Sequence, residues 1–476
     1  MDWFLKRTII MLCALTLEGN ILGQRAPAAP NHPWDASTAK QKLTMPPLLP
    51  LPPALDPVKI YTLSELVNIA EENNPDTRVA WEKAKASAAD LGIAKSTLYP
   101  TVAAVAVASS LQADLFFGTS FQRQTIESFT PVFTVDYTIF DFGQRSGQIS
   151  ASRSKLLAAN FQFNDTHRKI IFQVMQAYYR FLDTKGKEDT ARANLNDAQT
   201  VQRAAEARLQ SGLATLPDVL QARSAAAQAD YDLQAAVGAT EIAHGGLAVS
   251  MGTYPTTQFQ VESLQNLKLA DGIADTVEAS IDKALSQRPD LMQRVAELRA
   301  AGAEASVAHK AYFPTLQIEG SAGINRSYGV QINLPAVYSP TETTWIAKLS
   351  LQWTLFDGLA REKRLARAHA EQKQAAAAVD SARNQIENEV WSAYSTARTA
   401  LRQQRAATAL LAASIDSYNA ALESYHLGLR TQIDVVSAQR TLAGARGADI
   451  DARTHLLAGL AALAYETGDL LHAKKP

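Results

Sequence analysis

Cysteine is nearly absent from this chain: Cys13 is the only one among 476 residues. No disulfide framework is available to the fold. Long apolar runs are missing as well. None beyond the N-terminal segment reaches the ~18 residues that a membrane-crossing helix needs. A membrane role would therefore fall to β-strands or to a helix lying on the surface. Charge is balanced, with a formal net of −1, which gives no reason to expect a nucleic-acid partner. The eight histidines stand singly, without metal-ligand spacing. No Gly-rich phosphate loop or Gly-x-Ser-x-Gly nucleophile motif occurs. These absences point away from an enzyme and from any cofactor or metal site.

The N-terminus reads as a secretory signal over residues 1–23. Lys6 and Arg7 precede a short apolar stretch, Thr8 to Leu17, and Gly23 offers a soft cleavage point. Cys13 falls inside this stretch, and Leu12 before it is too large for a lipid-attachment site. Residues 24–60 are rich in proline and alanine, which excludes helix because proline lacks the donor and clashes with the preceding turn. They form an extended arm, either packed on the body or serving as a linker.

What the chain does have is an internal repeat. Pro75 and Pro289 stand 214 residues apart (289 − 75), as do Pro100 and Pro314 (314 − 100). Phe140 and Phe356 stand 216 apart (356 − 140), as do Gly212 and Gly428 (428 − 212). The expected organisation is a first repeat over 61–252, a linker over 253–274, a second repeat over 275–471 and a tail over 472–476.

Each repeat passes through the same events. A capped helix start, Thr62-Leu63-Ser64-Glu65 or Asp275-Thr276-Val277-Glu278, leads to a restart at Pro75-Asp76 or Pro289-Asp290. Pro100 and Pro314 end the second helix, and the apolar period changes from 3.6 to 2. Phe129, Phe133, Val135 and Tyr137 alternate with Thr130, Thr134 and Asp136; Trp345, Leu349, Leu351 and Trp353 alternate with Lys348, Ser350 and Gln352. Each repeat thus offers two strands of roughly ten residues, a length suited to a transmembrane β-strand. Polar loops at about 113–128 and 326–342 are expected to join them. Four strands cannot close a barrel, and lipid does not tolerate open sheet edges. Several chains would have to share one barrel, unless the hairpins pack on the helices of a soluble protein. Tyr137, Trp345 and Trp353 belong to a lipid face or girdle in the first case and to a core in the second.

A proline-free helix of some 65 residues follows each hairpin, roughly 100 Å long at 1.5 Å per residue. Each ends at a turn, Gly212-Leu213-Ala214-Thr215-Leu216-Pro217-Asp218 or Gly428-Leu429-Arg430-Thr431-Gln432-Ile433-Asp434, and a return helix follows. The glycines read as helix C-caps and Thr-x-x-Asp as an N-terminal cap. Tyr425 and Arg430 have no counterpart in the first copy, where Leu209 and Ala214 stand.

The order, duplication and spacing of these motifs resemble the TolC-type family of outer-membrane efflux channels, over about residues 61–471. Tyr99-Pro100-Thr101, Phe313-Pro314-Thr315, Ile139-Phe140-Asp141-Phe142-Gly143 and Leu355-Phe356-Asp357-Gly358 add to the likeness. The resemblance implies an α+β membrane protein: a long α-helical coiled-coil barrel with four transmembrane β-strands per chain, closing a 12-stranded barrel as a homotrimer. It implies a passive export duct in outer-membrane lipid that reaches into the periplasm. Its partners would be a periplasmic adaptor (membrane fusion protein) and an inner-membrane pump. It also implies a gate at the helix tips, where Tyr425 and Arg430 meet Asp218 and Asp434 forms an acidic ring. A second ring position holds Ser437 here, which weakens the expectation of cation selectivity. Gly212, Leu213, Gly428 and Leu429 would touch the adaptor. The competing expectation is a soluble periplasmic coiled-coil scaffold or adaptor.

Overall fold

The computed structural model describes residues 55–117, 119–330 and 341–471. The expected signal, Cys13, most of the Pro-rich arm and the tail lie outside the described residues. The first repeat contains β1 (Ile60–Tyr61), α1 (Leu63–Asn73), α2 (Pro75–Ser96), β2 (Thr101–Phe117), β3 (Ser120–Phe140), α3 (Gln144–Gln210) and α4 (Leu216–Ser250). After β4 (Gln260–Val261), the second repeat contains α5 (Val277–Gln287), α6 (Pro289–Lys310), β5 (Thr315–Val330), β6 (Thr341–Gln352), α7 (Ala360–His426) and α8 (Gln432–Thr467).

Local chemistry sets the helix boundaries. Thr62 N–H donates to Glu65 Oε2 at 2.9 Å and Glu65 N–H to Thr62 Oγ1 at 3.4 Å, so two otherwise unpaired donors are satisfied at the start of α1. Asn74 closes α1 and caps α2 by accepting from Asp76 N–H at 2.9 Å, with Pro75 at the first helical position. Both long helices begin at a corner of two successive left-handed residues. These are Phe142 (φ 51°) and Gly143 (φ 86°) in one repeat, and Gly358 (φ 66°) and Leu359 (φ 68°) in the other. Each corner is braced by an arginine. Arg145 Nε donates to Asp141 Oδ2 at 2.9 Å, and Arg361 Nε to Asp357 Oδ2 at 3.2 Å.

The four long strands form one antiparallel sheet in the order β2-β3-β5-β6. Directly paired residues share a face. The rows Val102–Val135–Gly320–Ala347 and Ala104–Phe133–Ala322–Trp345 therefore lie on one side, and Thr101–Asp136–Glu319–Lys348 on the other. The sheet has an apolar and a polar face. The first hairpin corrects the expected loop at 113–128: β2 and β3 pair without interruption from Thr101↔Asp136 to Phe117↔Ser120. Polar cross-strand contacts sustain this extension, with Ser109 Oγ 2.7 Å from Ser128 Oγ and Arg123 Nε donating to Asp114 Oδ1 at 3.1 Å. An apolar face is unnecessary where both sides of a ribbon meet water. The second hairpin is also longer than expected, since β5 reaches Val330; residues 331–340 lie outside the described residues.

The repeats build equivalent cores below the sheet. Ala70, Ile170 and Val174 are buried in the first, and their counterparts Ala284, Ile386 and Val390 in the second. The first core is larger because Phe259 and Leu264 of the inter-repeat segment close over Phe181 and Leu247. The parallel pairing of β1 with β4 ties the end of the N-terminal arm to the same segment. Between the repeats lies an ionic cluster that sequence reading did not anticipate. Arg288, 4 % exposed, contacts Asp290 at 2.7 Å, Glu389 at 2.8 Å and Glu466 at 2.6 Å. Arg168, 1 % exposed, contacts Asp165 at 2.7 Å and Asp290 at 3.6 Å. The cluster joins α3, α6, α7 and α8.

Candidate functional site: the paired helix tips

Each long helix ends in the same hydrogen-bonded turn. In the first, Leu213 N–H donates to Arg208 O at 2.8 Å and Gly212 N–H to Leu209 O at 3.0 Å. In the second, Leu429 N–H donates to Ser424 O at 2.8 Å and Gly428 N–H to Tyr425 O at 3.0 Å. This double closure is a Schellman motif, which needs a left-handed residue at the glycine. Gly212 has φ 72° and Gly428 φ 78°, conformations that a Cβ would strain. Leu213 and Leu429 emerge from these turns 69 % and 77 % exposed, a large apolar surface for residues at a turn.

The return helices start on the expected threonine–aspartate pairs. Thr215 N–H and Oγ1 donate to Asp218 Oδ2 at 2.9 and 2.7 Å, and Thr431 N–H and Oγ1 to Asp434 Oδ2 at 2.9 and 2.8 Å. The Thr215 hydroxyl and then its N–H hold the Asp218 carboxyl below its usual range, against a smaller effect of burial. At Asp434 the Thr431 N–H and hydroxyl do the same, with Arg430 contributing least. Both carboxylates sit at positive helix ends and are ionised across the physiological range.

The candidate gate residues are distributed unevenly. Arg430 is exposed and reaches Asp434 of its own chain at 3.8 Å, a loose surface pair. Tyr425 is 6 % exposed and packs on Val201, Tyr418, Leu422 and Val435. Its first-repeat counterpart, Leu209, packs on Ala205, Val219 and Ala222 in the equivalent place. Burial pushes the Tyr425 hydroxyl up, Arg208 opposes this, and Asp218 adds to it. Among the described residues no hydrogen bond joins Tyr425 to Asp218, and Arg430 pairs with Asp434 rather than with Asp218.

Two tip residues escaped the sequence reading. Arg208 Nη1 donates to Tyr425 O at 3.2 Å, and its guanidinium lies 4.6 Å from the centre of the Tyr425 ring. Gln432 is 2 % exposed, and neither its amide nitrogen nor its amide oxygen has a hydrogen-bond partner among the described residues. The signal for Gln432 was available: its first-repeat counterpart is apolar Leu216. Arg208 left none, because its partner lies 217 positions away.

No group of acidic, histidine or cysteine side chains suited to a metal occurs among the described residues, and no described helix is long and apolar enough to cross a membrane. The sheet is the only described element with the length and the apolar face to do so.

Known proteins share this architecture. CyaE of Bordetella pertussis is 28 % identical over 424 residues, covering 87 % of this chain and 86 % of that one. The cation efflux system protein CusC of Escherichia coli O157:H7 is 23 % identical over 391 residues, covering 81 % of each. A crystal structure of a membrane protein from Pseudomonas aeruginosa shares the fold with a TM-score of 0.75 at 23 % identity, covering 85 % of this chain and 93 % of that one. Residues 66–253 and 280–469 both match the family described as outer membrane efflux protein. The chain belongs to that family, which makes it an export duct of the outer membrane rather than the soluble scaffold or adaptor of the competing expectation.

Proposed function

We propose that three copies of this chain close one barrel and form a passive duct, which takes substrate from a periplasmic adaptor and an inner-membrane pump and releases it outside. The observation that carries this reading is the open sheet. β2 and β6 end it, and among the described residues nothing pairs with their outer edges. A sheet with one apolar face and two open edges is untenable in lipid. Identical chains related by rotation remove both edges by pairing β6 of one with β2 of the next.

The helices support the same closure. α3 packs on α2 and α4 of its own repeat and on α6 and α8 of the other. α7 packs chiefly on α5, α6 and α8, and meets α3 at the tip, where Tyr425 lies against Val201 and Arg208. By the repeat symmetry its missing partners are α2 and α4 of the next chain. The uncovered face of α4 carries exposed Leu220, Tyr231, Ile242 and Val249, and α7 carries exposed Trp391, Leu410 and Ile415.

In this duct the helix tips are the gate. Arg430 of one chain faces Asp218 of its neighbour, Tyr425 backs the contact, and three Asp434 carboxylates ring the opening. The Gly212-Leu213 and Gly428-Leu429 turns offer exposed leucines to the adaptor. The repertoire of relatives named for cation, antibiotic and toluene efflux supports an efflux role without fixing the cargo.

The test is membrane fractionation followed by cross-linking and planar-bilayer recording of the purified protein. The reading expects recovery with the outer membrane, a species of three chains and discrete conductance steps. Recovery in the soluble periplasmic fraction without detergent overturns it.

A further inference from the structure

We infer that Arg208 is a positioning residue that couples the two tip turns inside one protomer, so that the first repeat holds the Tyr425 turn in place. The inference rests on one residue's bonds. The Arg208 carbonyl accepts from Leu213 N–H and closes the first turn. Its side chain donates to the Tyr425 carbonyl, which also accepts from Gly428 N–H and closes the second turn. The guanidinium simultaneously covers the Tyr425 ring. Two of these three contacts run through one side chain, which joins α3 to α7.

The physics favours a cation at this place. Arg208 lies in the last turn of α3, and its acceptor Tyr425 lies in the last turn of α7. The negative ends of two helix dipoles converge on it, and the Tyr425 carbonyl gains a second donor. Arg208 has no ion-pair partner among the described residues; its guanidinium meets the Tyr425 carbonyl and ring, and its buried Nε has no hydrogen-bond partner among them. The nearby Glu206 is engaged by Arg223 and Gln202 instead. The coupling also differs in kind from a gate contact. It uses the face of the Tyr425 ring and its backbone, and not the hydroxyl.

The symmetry explains why only one such coupler exists per chain. The counterpart of Arg208 in the second repeat is Ser424, which is too short to reach a neighbouring turn. Each protomer therefore moves its two tips together, and separation is left to the boundary between protomers. This last consequence rests on the trimeric duct and its tip gate; the coupling itself does not.

The experiment is amide hydrogen exchange of the full-length, detergent-solubilised protein, read on peptides across residues 422–431, beside single-channel recording of the same samples. Arg208→Ala is expected to speed exchange of the second turn roughly tenfold, the loss expected for a charge-assisted hydrogen bond. Tyr425→Ala keeps the carbonyl and loses the ring, and is expected to speed exchange of the first turn, near residues 208–213, by less than tenfold. Tyr425→Phe retains the ring and carbonyl and is expected to exchange like the parent protein. Arg208→Lys, with a single point charge and no planar fork, should fall between. A role confined to α3 would change only the first turn in Arg208→Ala. Unchanged exchange over 422–431 in that variant overturns the coupling, even if Arg430→Ser opens the channel. Faster exchange with unaltered conductance upholds the coupling and counts against the tip gate.

Discussion

Replacing Arg288 with alanine removes the cation from the middle of a buried cluster. Its guanidinium contacts Asp290, Glu389 and Glu466 at 2.6–2.8 Å while only 4 % exposed. Arg168 would still face Asp290 at 3.6 Å, but Glu389 and Glu466 would be left beside each other without their shared partner. Breaking a buried ion pair on one side costs about 3–5 kcal/mol. The repeat supplies an internal control. Asn74, at the equivalent position, caps α2 through Asp76 N–H, and Asn74→Ala should cost ~1 kcal/mol. The difference between the two variants should depend on pH. Burial already holds the Glu466 carboxyl above its usual range, with Arg288 pulling it down and Glu389 pushing it up. Without Arg288 the folded state binds a proton more tightly than the unfolded chain does. Stability of the variant then falls as pH rises from the ordinary carboxylate range through the raised value. Thermal unfolding followed by helical circular dichroism, from pH 5 to pH 8, measures the gap to the parent protein. The gap should widen towards neutral pH. A gap no larger than that of Asn74→Ala, or one that is flat with pH, refutes the reasoning.

The strand-to-helix corners give a paired test. Leu359 holds a left-handed conformation (φ 68°) while 56 % exposed, so Leu359→Gly should relieve backbone strain of ~1 kcal/mol and raise the melting temperature. Phe142, also left-handed, stacks on Phe313 at 5.1 Å and meets Phe140 edge-on at 4.8 Å, so Phe142→Gly should lower it. Equal shifts of one sign would show that strain and packing have been misassigned. Gln432→Leu removes a buried amide without partners and should stabilise the tip by roughly 1–3 kcal/mol, read as slower exchange at the start of α8. Faster exchange there would mean that the amide is satisfied in the assembled protein.

Much of the fold was legible because it rests on local chemistry. Pro75, Pro100, Pro289 and Pro314 punctuate the helices, and the Thr62–Glu65 and Thr431–Asp434 boxes form as the sequence requires. Gly212 and Gly428 adopt the left-handed cap for which a helix end selects glycine. The extension of the first hairpin was not legible. Between Gln112 and Glu127 polar residues fall on both faces, which erases the period of two while leaving backbone pairing intact. The ionic cluster and the Arg208 contact were hidden for a different reason. Their partners come from separate repeats, and neither periodicity nor spacing records which helices meet. Arg288 did carry a trace, since it replaces the neutral Asn74 of the first copy. Among the candidate tip residues, Tyr425 and Arg430 stood out by asymmetry between copies, while the glycines, leucines and aspartates are shared by both, and the same comparison applied to Gln432 and Leu216 would have added another.

The most direct test of the gated duct is single-channel conductance of Arg430→Ser in planar bilayers. Arg430 is exposed and only loosely paired within its chain, so its loss should leave the fold of each protomer intact. The account predicts a higher conductance with unchanged melting temperature and unchanged exchange over residues 422–431. Parent-like conductance would contradict it.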